Sequence, residues 1–217
     1  MPQGKANTLI YCLFVLELDI FIISYVTAFE RCNVITCIMQ KKKIFVEINV
    51  ASSLKRRLLQ ITSKWSELPV KWMKEDNLHI TVAFVGYVDE SMIPEICERV
   101  GRATADFEAF DLEFNSIELG PDPVSPRMIW LTGKPCEQLG QLNEAVEAAL
   151  GMRPQAHKEF RPHITLGRIR AIKWDELTEK PQICEKIRVA MTVDSVSIME
   201  SKGGGAEYVS LEECPLA

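Results

Sequence analysis

Two stretches of this 217-residue sequence read alike: Leu78-His79-Ile80-Thr81-Val82 and Pro162-His163-Ile164-Thr165-Leu166. Each places a histidine and a threonine two residues apart among apolar residues, and together they hold two of the chain's three histidines. Side chains alternate between the two faces of an extended strand. The pattern therefore predicts two β-strands, each presenting an imidazole and a hydroxyl on one face and an isoleucine on the other.

These side chains suit acid–base chemistry at an oxyanion. The unperturbed pKa of histidine, about 6.5, lies near neutrality, so an imidazole can give or take a proton there. Threonine hydroxyls can donate hydrogen bonds to a phosphate oxygen. We therefore expect His79 and His163 to be catalytic and Thr81 and Thr165 to bind phosphate. Periodicity alone does not bring the two strands together.

Composition and charge narrow the class of protein. With 47% hydrophobic and 25% charged residues, the chain is typical of a globular protein with one domain or two small lobes. A net charge of −5 argues against non-specific coating of nucleic acid. Residues 153–173 nevertheless hold six basic residues against one acid, Glu159, and include the second His-Thr stretch. Such a local basic patch on an acidic protein suits a single phosphate or a strand end better than a long duplex.

Cysteine and histidine spacing argues against disulfides and metals. The seven cysteines are scattered without a Cys-x-x-Cys pair, which favours reduced thiols and a cytoplasmic location. The histidines lack the helical His-x-x-x-His spacing of zinc sites, and no carboxylate lies beside them in a ligand-like position. We expect neither a metal nor a cofactor.

The first 38 residues differ from the rest of the chain. Residues 8–29 are almost wholly apolar, but Glu17 and Asp19 interrupt them. An Asp at the centre of a membrane helix costs about 2.5–3.5 kcal/mol. We therefore predict that 1–38 is an apolar extension outside the domain and that the domain spans 39–217. Membrane anchoring through 8–29 is the less favoured alternative.

Strand and helix patterns alternate along the domain. Because each amphipathic helix needs a sheet face to cover, the alternation predicts an α+β architecture with two sheet-and-helix lobes facing each other. The predicted strands include 44–50, 78–85, 110–119, 128–131, 163–169, a long one at 187–199, and 208–211, and the predicted helices are 52–65, 89–105, 138–150 and 174–178.

Four segments carry a family resemblance: 44–46, 77–86, 126–131 and 160–168. With the two His-x-Thr motifs they resemble the two-histidine phosphoesterase superfamily, and within it the RNA 2′,3′-cyclic phosphodiesterases, formerly called 2′-5′ RNA ligases. The resemblance covers nearly all of 41–213. One departure is the loop Gly120-Pro121-Asp122, where the family often has Gly-x-Phe.

The resemblance implies a bilobal α+β fold: two antiparallel sheet-and-helix lobes related by pseudo-two-fold symmetry around a central cleft. It implies hydrolysis of RNA 2′,3′-cyclic phosphate ends to 2′-phosphates without a metal, with weak reverse 2′-5′ ligation. By analogy His79 is the proton donor and His163 the proton acceptor, although the sequence alone allows the opposite assignment. The expected partner is an RNA 3′ end bearing the cyclic phosphate, and we expect a monomer without a stable protein partner.

Three more residues are candidates for substrate binding. Arg168 lies five residues after His163, so an unbroken strand would place it on the opposite face; a bend at Gly167 would bring its guanidinium to the phosphate. Phe160 and Trp130 are candidate surfaces for base stacking, with a core position favoured for Trp130. Two other functions stay open: a non-catalytic RNA-binding module, and a phosphodiesterase of small cyclic nucleotides.

Overall fold

The computed structural model describes residues 41–153, 160–205 and 207–217. The predicted extension 1–38 and the third histidine, His157, lie outside these ranges. Within them, no helix has both the length and the apolarity that a membrane crossing requires. The alternative of membrane anchoring through 8–29 also falls outside the described residues.

Nine strands and four α-helices make up the described chain. Three single turns of 3₁₀-helix accompany them, at Ser63–Trp65, Glu75–Asn77 and Glu90–Met92. The strands are β1 Lys41–Asn49, β2 Val70–Trp72, β3 His79–Asp89, β4 Phe110–Gly120, β5 Met128–Gly133, β6 His163–Ile169, β7 Cys184–Val193, β8 Ser195–Lys202 and β9 Glu207–Pro215. The helices are α1 Ser52–Thr62, α2 Ile93–Thr104, α3 Glu137–Ala149 and α4 Ala171–Asp175.

The strands form a sheet with the order β7-β4-β5-β6-β3-β1-β8-β9, with β2 added alongside β6. The paired strands are antiparallel. The order is symmetric about the β6–β3 pair at its centre. We call β3, β1, β8 and β9 the first lobe, and β6, β5, β4 and β7 the second lobe.

One residue pair, Ile80 with Ile164, joins the two lobes at β3 and β6. Both isoleucines are fully buried, and each is the residue between His and Thr in its motif. A pseudo-two-fold axis at this pair relates β3 to β6 and β1 to β5. The expected bilobal α+β fold with two antiparallel lobes is therefore confirmed.

The predicted long strand 187–199 was wrong, because it is two strands that separate at Asp194. β7 pairs with β4 in the second lobe, whereas β8 pairs with β1 in the first lobe. Apolar residues alternate within each strand, and the change of phase between Val193 and Val196 is a sequence signal of the break. It does not reveal the change of lobe. The short helix predicted at 174–178 begins three residues earlier, at Ala171.

Helices α2 and α3 contact each other, and α3 also packs on β3. Their buried apolar side chains repeat at helical spacing, as a helix covering a sheet requires. Asn143 on α3 donates a 2.6 Å hydrogen bond from Nδ2 to the carbonyl oxygen of Val82 on β3. The covering side chains are Ile96 and Val100 on α2 and Leu139, Leu142 and Val146 on α3.

A β-bulge in β6 re-aims the side chains that follow the second motif. Thr165 pairs with Trp130, but Gly167 pairs with the very next residue, Ile129, so β6 carries one extra residue at Leu166. An extra residue reverses the alternation of faces. Arg168 consequently returns to the face that carries Thr165, and the bend that the sequence analysis required is present.

Gly167 also lets β2 approach closely. A Cβ atom at this position would overlap Cγ1 of Val70 and contact Cε3 of Trp72 at 3.0 Å, both on the paired strand β2. We predict that Gly167→Ala lowers the free energy of unfolding by about 1–3 kcal/mol, the usual cost of overpacking, measured by urea denaturation.

The matched control is Gly140→Ala on α3, where the new Cβ would lie 3.7 Å from Cβ of Phe160. This ordinary contact, together with the higher helix propensity of alanine, predicts a gain of up to about 1 kcal/mol. Equal effects of the two substitutions would contradict the proposed close approach of β2.

Candidate active site

The central strand pair brings the two motifs together on one face. Counting outward along the antiparallel pair from Ile80 and Ile164 places Thr81 across from His163 and His79 across from Thr165. All four side chains are half-buried, on the face opposite the two buried isoleucines. The condition that periodicity could not supply is therefore met: two imidazoles and two hydroxyls, distant in sequence, lie on one face of the central strand pair, and the charge of His163 acts on His79.

His79 is held in one orientation by the turn that precedes β3. Its Nδ1 lies 2.9 Å from the carbonyl oxygen of Asn77, the last residue of a 3₁₀ turn, and its Nε2 lies 3.1 Å from Oγ1 of Thr81. A carbonyl oxygen only accepts, so this contact assigns the proton of the neutral ring to Nδ1. Nε2 is then the nitrogen available for proton transfer.

His163 repeats this arrangement. Its Nδ1 lies 3.2 Å from the carbonyl oxygen of Arg161, again two residues earlier in the chain. The indole of Trp130 on β5 contacts the imidazole, with ring centroids 4.6 Å apart. Both histidines therefore direct Nδ1 towards the backbone, which leaves Nε2 as the reactive nitrogen in each.

The two imidazoles have different neighbours. Phe45 and Tyr208 contact the His79 ring, with centroids 5.2 Å and 5.4 Å away. Oε2 of Glu47, a buried carboxylate on β1, lies 3.5 Å from His79 Nδ1. The sequence analysis missed Glu47, because a polar residue in an alternating strand resembles a solvent-facing one. The one sequence feature that could have indicated its burial is the alternation of β1, which places Glu47 on the same face as Phe45 and Asn49.

Burial favours the neutral form of both imidazoles. Burial lowers the pKa of His79 to about 4, the carbonyl of Asn77 opposes that change, and the positive charges of Lys55, of Arg168 and of a protonated His163 add to it. Burial also lowers the pKa of His163, against the effect of the Arg161 carbonyl. A bound anion would favour the charged form of each ring and so raise both pKa values.

The other predicted site residues take different positions. Arg168 is exposed and lies on the histidine face, and its charge reaches His79. Phe160 is half-buried and packs against the core near Gly140, at the start of α3. Its function as a stacking surface stays a prediction. Trp130 is the aromatic residue that contacts His163, although a core position had been favoured for it.

A cavity of about 780 Å³ opens beside His163 in the second lobe. Its wall combines aromatic and aliphatic surface with two cationic side chains, Arg161 and Lys180, and one carboxylate, Glu118, whose Oε1 lies 3.8 Å from Nη1 of Arg161. Arg161 is fixed by a 3.1 Å hydrogen bond from Nε to the carbonyl oxygen of Gly133. In the described part of the chain, no three His, Cys, Asp or Glu side chains cluster in a way that could hold a metal ion.

The arrangement agrees with the comparison of the chain with known protein families. The model of the 2′-5′ RNA ligase superfamily matches residues 53–205, which include both His-x-Thr motifs. The chain belongs to this superfamily.

Curated proteins named RNA 2′,3′-cyclic phosphodiesterase match about two thirds of the chain. A Thermotoga maritima protein named RNA 2′,3′-cyclic phosphodiesterase is 31% identical over 142 residues, which cover 63% of this chain and 76% of that protein. An Archaeoglobus fulgidus protein of the same name is 29% identical over 148 residues, covering 67% and 79%.

Solved structures bear out the superfamily fold. The crystal structure of E. coli LigT complexed with NADP+ matches with a TM-score of 0.64 at 22% identity, covering 82% of this chain and 99% of LigT. At that identity the match concerns the fold alone. It supports the two-lobed architecture that the strand order describes.

The lowered pKa of His79 predicts a pH-dependent stability effect. The unfolded chain binds a proton at His79 near pH 6.5, but the folded chain binds it only near pH 4. Stability contributed by the neutral ring is therefore complete above pH 6.5 and is lost as the pH falls towards 4. The unfolding free energy of His79→Asn, taken relative to that of the wild type, should therefore rise by about 2 kcal/mol when the pH is lowered from 8 to 5.

Urea denaturation at the two pH values measures this difference. Val124→Ala serves as the control, because Val124 is exposed and has no titratable group. Its difference from the wild type should be the same at both pH values. A pH-independent difference for His79→Asn would mean that the imidazole is not desolvated in the folded protein.

Proposed function

We propose that this protein hydrolyses RNA 2′,3′-cyclic phosphate ends to 2′-phosphomonoesters without a metal ion. The observation that carries the proposal is the pairing of two His-x-Thr motifs across the central strands, with Nδ1 of each imidazole held by a backbone carbonyl oxygen and Nε2 directed away from it. The name of the curated relatives supports the same substrate. A cytoplasmic location fits reduced cysteines, four of which are free in the described part of the chain.

In the proposed reaction each histidine moves one proton. Nε2 of His163 takes a proton from water, whose oxygen attacks phosphorus in line with the 3′-oxygen. The new P–O bond forms as the P–O3′ bond breaks, and Nε2 of His79 gives its proton to the departing 3′-oxygen. The product is a 2′-phosphate. If the 5′-hydroxyl of a second RNA takes the place of water, the same proton transfers form a P–O5′ bond as the P–O3′ bond breaks. The product is then a 2′-5′ phosphodiester with a free 3′-hydroxyl, which accounts for weak 2′-5′ ligation.

Neighbouring side chains stabilise the negative charge on phosphorus. Thr81 and Thr165 donate hydrogen bonds to the non-bridging oxygens, each worth about 1–3 kcal/mol to a charged group. Arg168 approaches from the bulge in β6 and adds a positive charge in a forked geometry. All of these groups come from side chains of the chain itself, so the step needs no Lewis acid.

The cavity beside His163 favours an RNA end over a small cyclic nucleotide. A ligand whose cyclic phosphate lies between the histidines has space beyond it for a further nucleoside unit. Trp130 offers an aromatic surface there, and Arg161 and Lys180 offer positive charge for a second phosphate. Stacking and phosphate contacts of this kind are typical of single-strand binding.

We predict that the purified protein converts an RNA oligonucleotide ending in a 2′,3′-cyclic phosphate to a 2′-phosphate product in the presence of EDTA. Phosphorus NMR distinguishes the 2′-phosphate from the 3′-isomer. A matched 2′,3′-cyclic mononucleotide is the comparison substrate and should react with a lower kcat/KM. RNA binding without turnover would favour a binding module, and turnover of the mononucleotide alone would favour a cyclic nucleotide phosphodiesterase.

We also predict that His79→Ala and His163→Ala each lower kcat by about 10²–10⁴-fold, because each removes one proton transfer. Thr192→Ala is the control, since Thr192 is exposed on β7 and bonds only to Asp111 among the side-chain contacts described. Thermal unfolding of all three variants checks that each is folded. Near wild-type turnover in either histidine variant would reject the function assigned to that residue.

A further inference from the structure

Glu47 is a buried carboxylate that the proposed reaction does not use. It lies in the middle of β1, and its side chain is 7% exposed. Its Oε2 has no hydrogen-bond partner among the described residues, although it lies 3.5 Å from Nδ1 of His79. A buried carboxylate without hydrogen bonds costs stability, so its retention calls for a functional explanation.

The pseudo-two-fold axis shows where this carboxylate breaks the symmetry of the cleft. On β1, Glu47 pairs with Thr81; on β5, Trp130 pairs with Thr165. The two residues therefore occupy equivalent positions in the two lobes. One lobe puts a carboxylate next to its histidine and the other an indole. A full negative charge beside an imidazole stabilises its positive form more than the quadrupole of an indole does.

We propose that Glu47 is a positioning residue that stabilises the protonated form of His79 and so makes His79, rather than His163, the acid of the reaction. This inference rests on the proposed function. The carboxylate lies on the Nδ1 side of the ring, whereas the substrate phosphate would lie on the Nε2 side. A protonated His79 would then lie between the carboxylate of Glu47 and the substrate phosphate. Its Nε2 proton would pass to the leaving 3′-oxygen.

The charged groups around His79 and Glu47 determine the pH range in which Glu47 can act on His79. Lys55 on α1 and His163 and Arg168 on β6 all act to disfavour a positive His79, and the ring of Tyr208 on β9 packs against it. Glu47 is the carboxylate that faces this group. Burial raises the pKa of Glu47 to about 7, with Lys55 opposing the change. Glu47 is therefore mostly ionised only above pH 7, and its effect on His79 belongs to that range.

The test compares Glu47→Gln with the wild type across pH. Glutamine keeps the size of the side chain but carries no charge. We expect kcat/KM of Glu47→Gln on the cyclic-phosphate RNA to stay within twofold of the wild type at pH 5.5 and to fall about tenfold below it at pH 8. The limb on which activity declines with rising pH should thus shift to lower pH, because the acid loses its proton earlier.

Glu200→Gln is the matched control. Glu200 is also a buried glutamate of the first lobe. It lies on β8, on the face of the sheet opposite to Glu47, and pairs with Lys42. Its substitution should leave the shape of the pH profile unchanged. A merely structural contribution of Glu47 would lower activity by the same factor at every pH, and that result, or an unchanged profile, would overturn the inference.

Two further measurements separate this inference from the proposed function. With inorganic phosphate bound in the cleft, nitrogen NMR should show that Nε2 of His79 loses its proton about 1–3 pH units lower in Glu47→Gln than in the wild type. An equal midpoint would overturn the inference whatever the enzyme's activity. A wild-type protein inactive on the cyclic-phosphate RNA would instead refute the proposed function.

Folding of Glu47→Gln gives a final check. Because the folded-state pKa of Glu47 is raised, the folded wild type is destabilised by ionisation as the pH rises from about 4.5 through 7. The variant cannot ionise at this position. Its thermal midpoint should therefore rise relative to the wild type between pH 4.5 and pH 8, while its activity falls relative to the wild type over the same range.

Discussion

The pairing of Ile80 with Ile164 is the interaction on which the whole site depends. These isoleucines are fully buried, and their burial holds together two strands that are far apart in the sequence. Since side chains alternate along a strand, burial of the isoleucines turns the neighbouring histidines and threonines to the opposite face. Hydrophobic free energy on one side of the sheet thus fixes the positions of the polar groups on the other.

Local pattern predicted much of this molecule, but contacts between distant segments were beyond it. The alternation around His79 and His163 identified both strands and the face that each side chain takes, and Gly167 correctly indicated a bend. The change of lobe at Asp194 was missed, because the shift in alternation between Val193 and Val196 indicates a break but not the partner strands, which lie far away in the sequence. Glu47 was missed for a related reason: a glutamate between alternating apolar residues reads as exposed, whereas its side chain is buried beside His79.

The two histidines occupy symmetry-related positions but have different side chains around them. Both histidines place Nδ1 on a backbone carbonyl two residues earlier, and both direct Nε2 to the cleft. The backbone contacts of the two histidines are therefore alike. Any chemical difference between the two imidazoles must come from side chains at equivalent positions in the two lobes. Glu47 and Trp130 provide that difference, and so do Phe84 and Arg168, which follow corresponding bulges in β3 and β6. Symmetry supplies two reactive groups at a fixed spacing, and the surrounding residues decide what each can do.

The path of the chain through the two lobes has a consequence for how the protein is made. The first lobe joins β1 and β3 from the beginning of the domain to β8 and β9 from its end, whereas β4 to β7 of the second lobe are continuous in the chain. During synthesis, the second lobe can pair its strands while the ribosome is still translating the rest. Tyr208, which contacts His79, follows every strand of the second lobe in the chain, so the surroundings of His79 are completed only after the hairpin of β8 and β9 has been made.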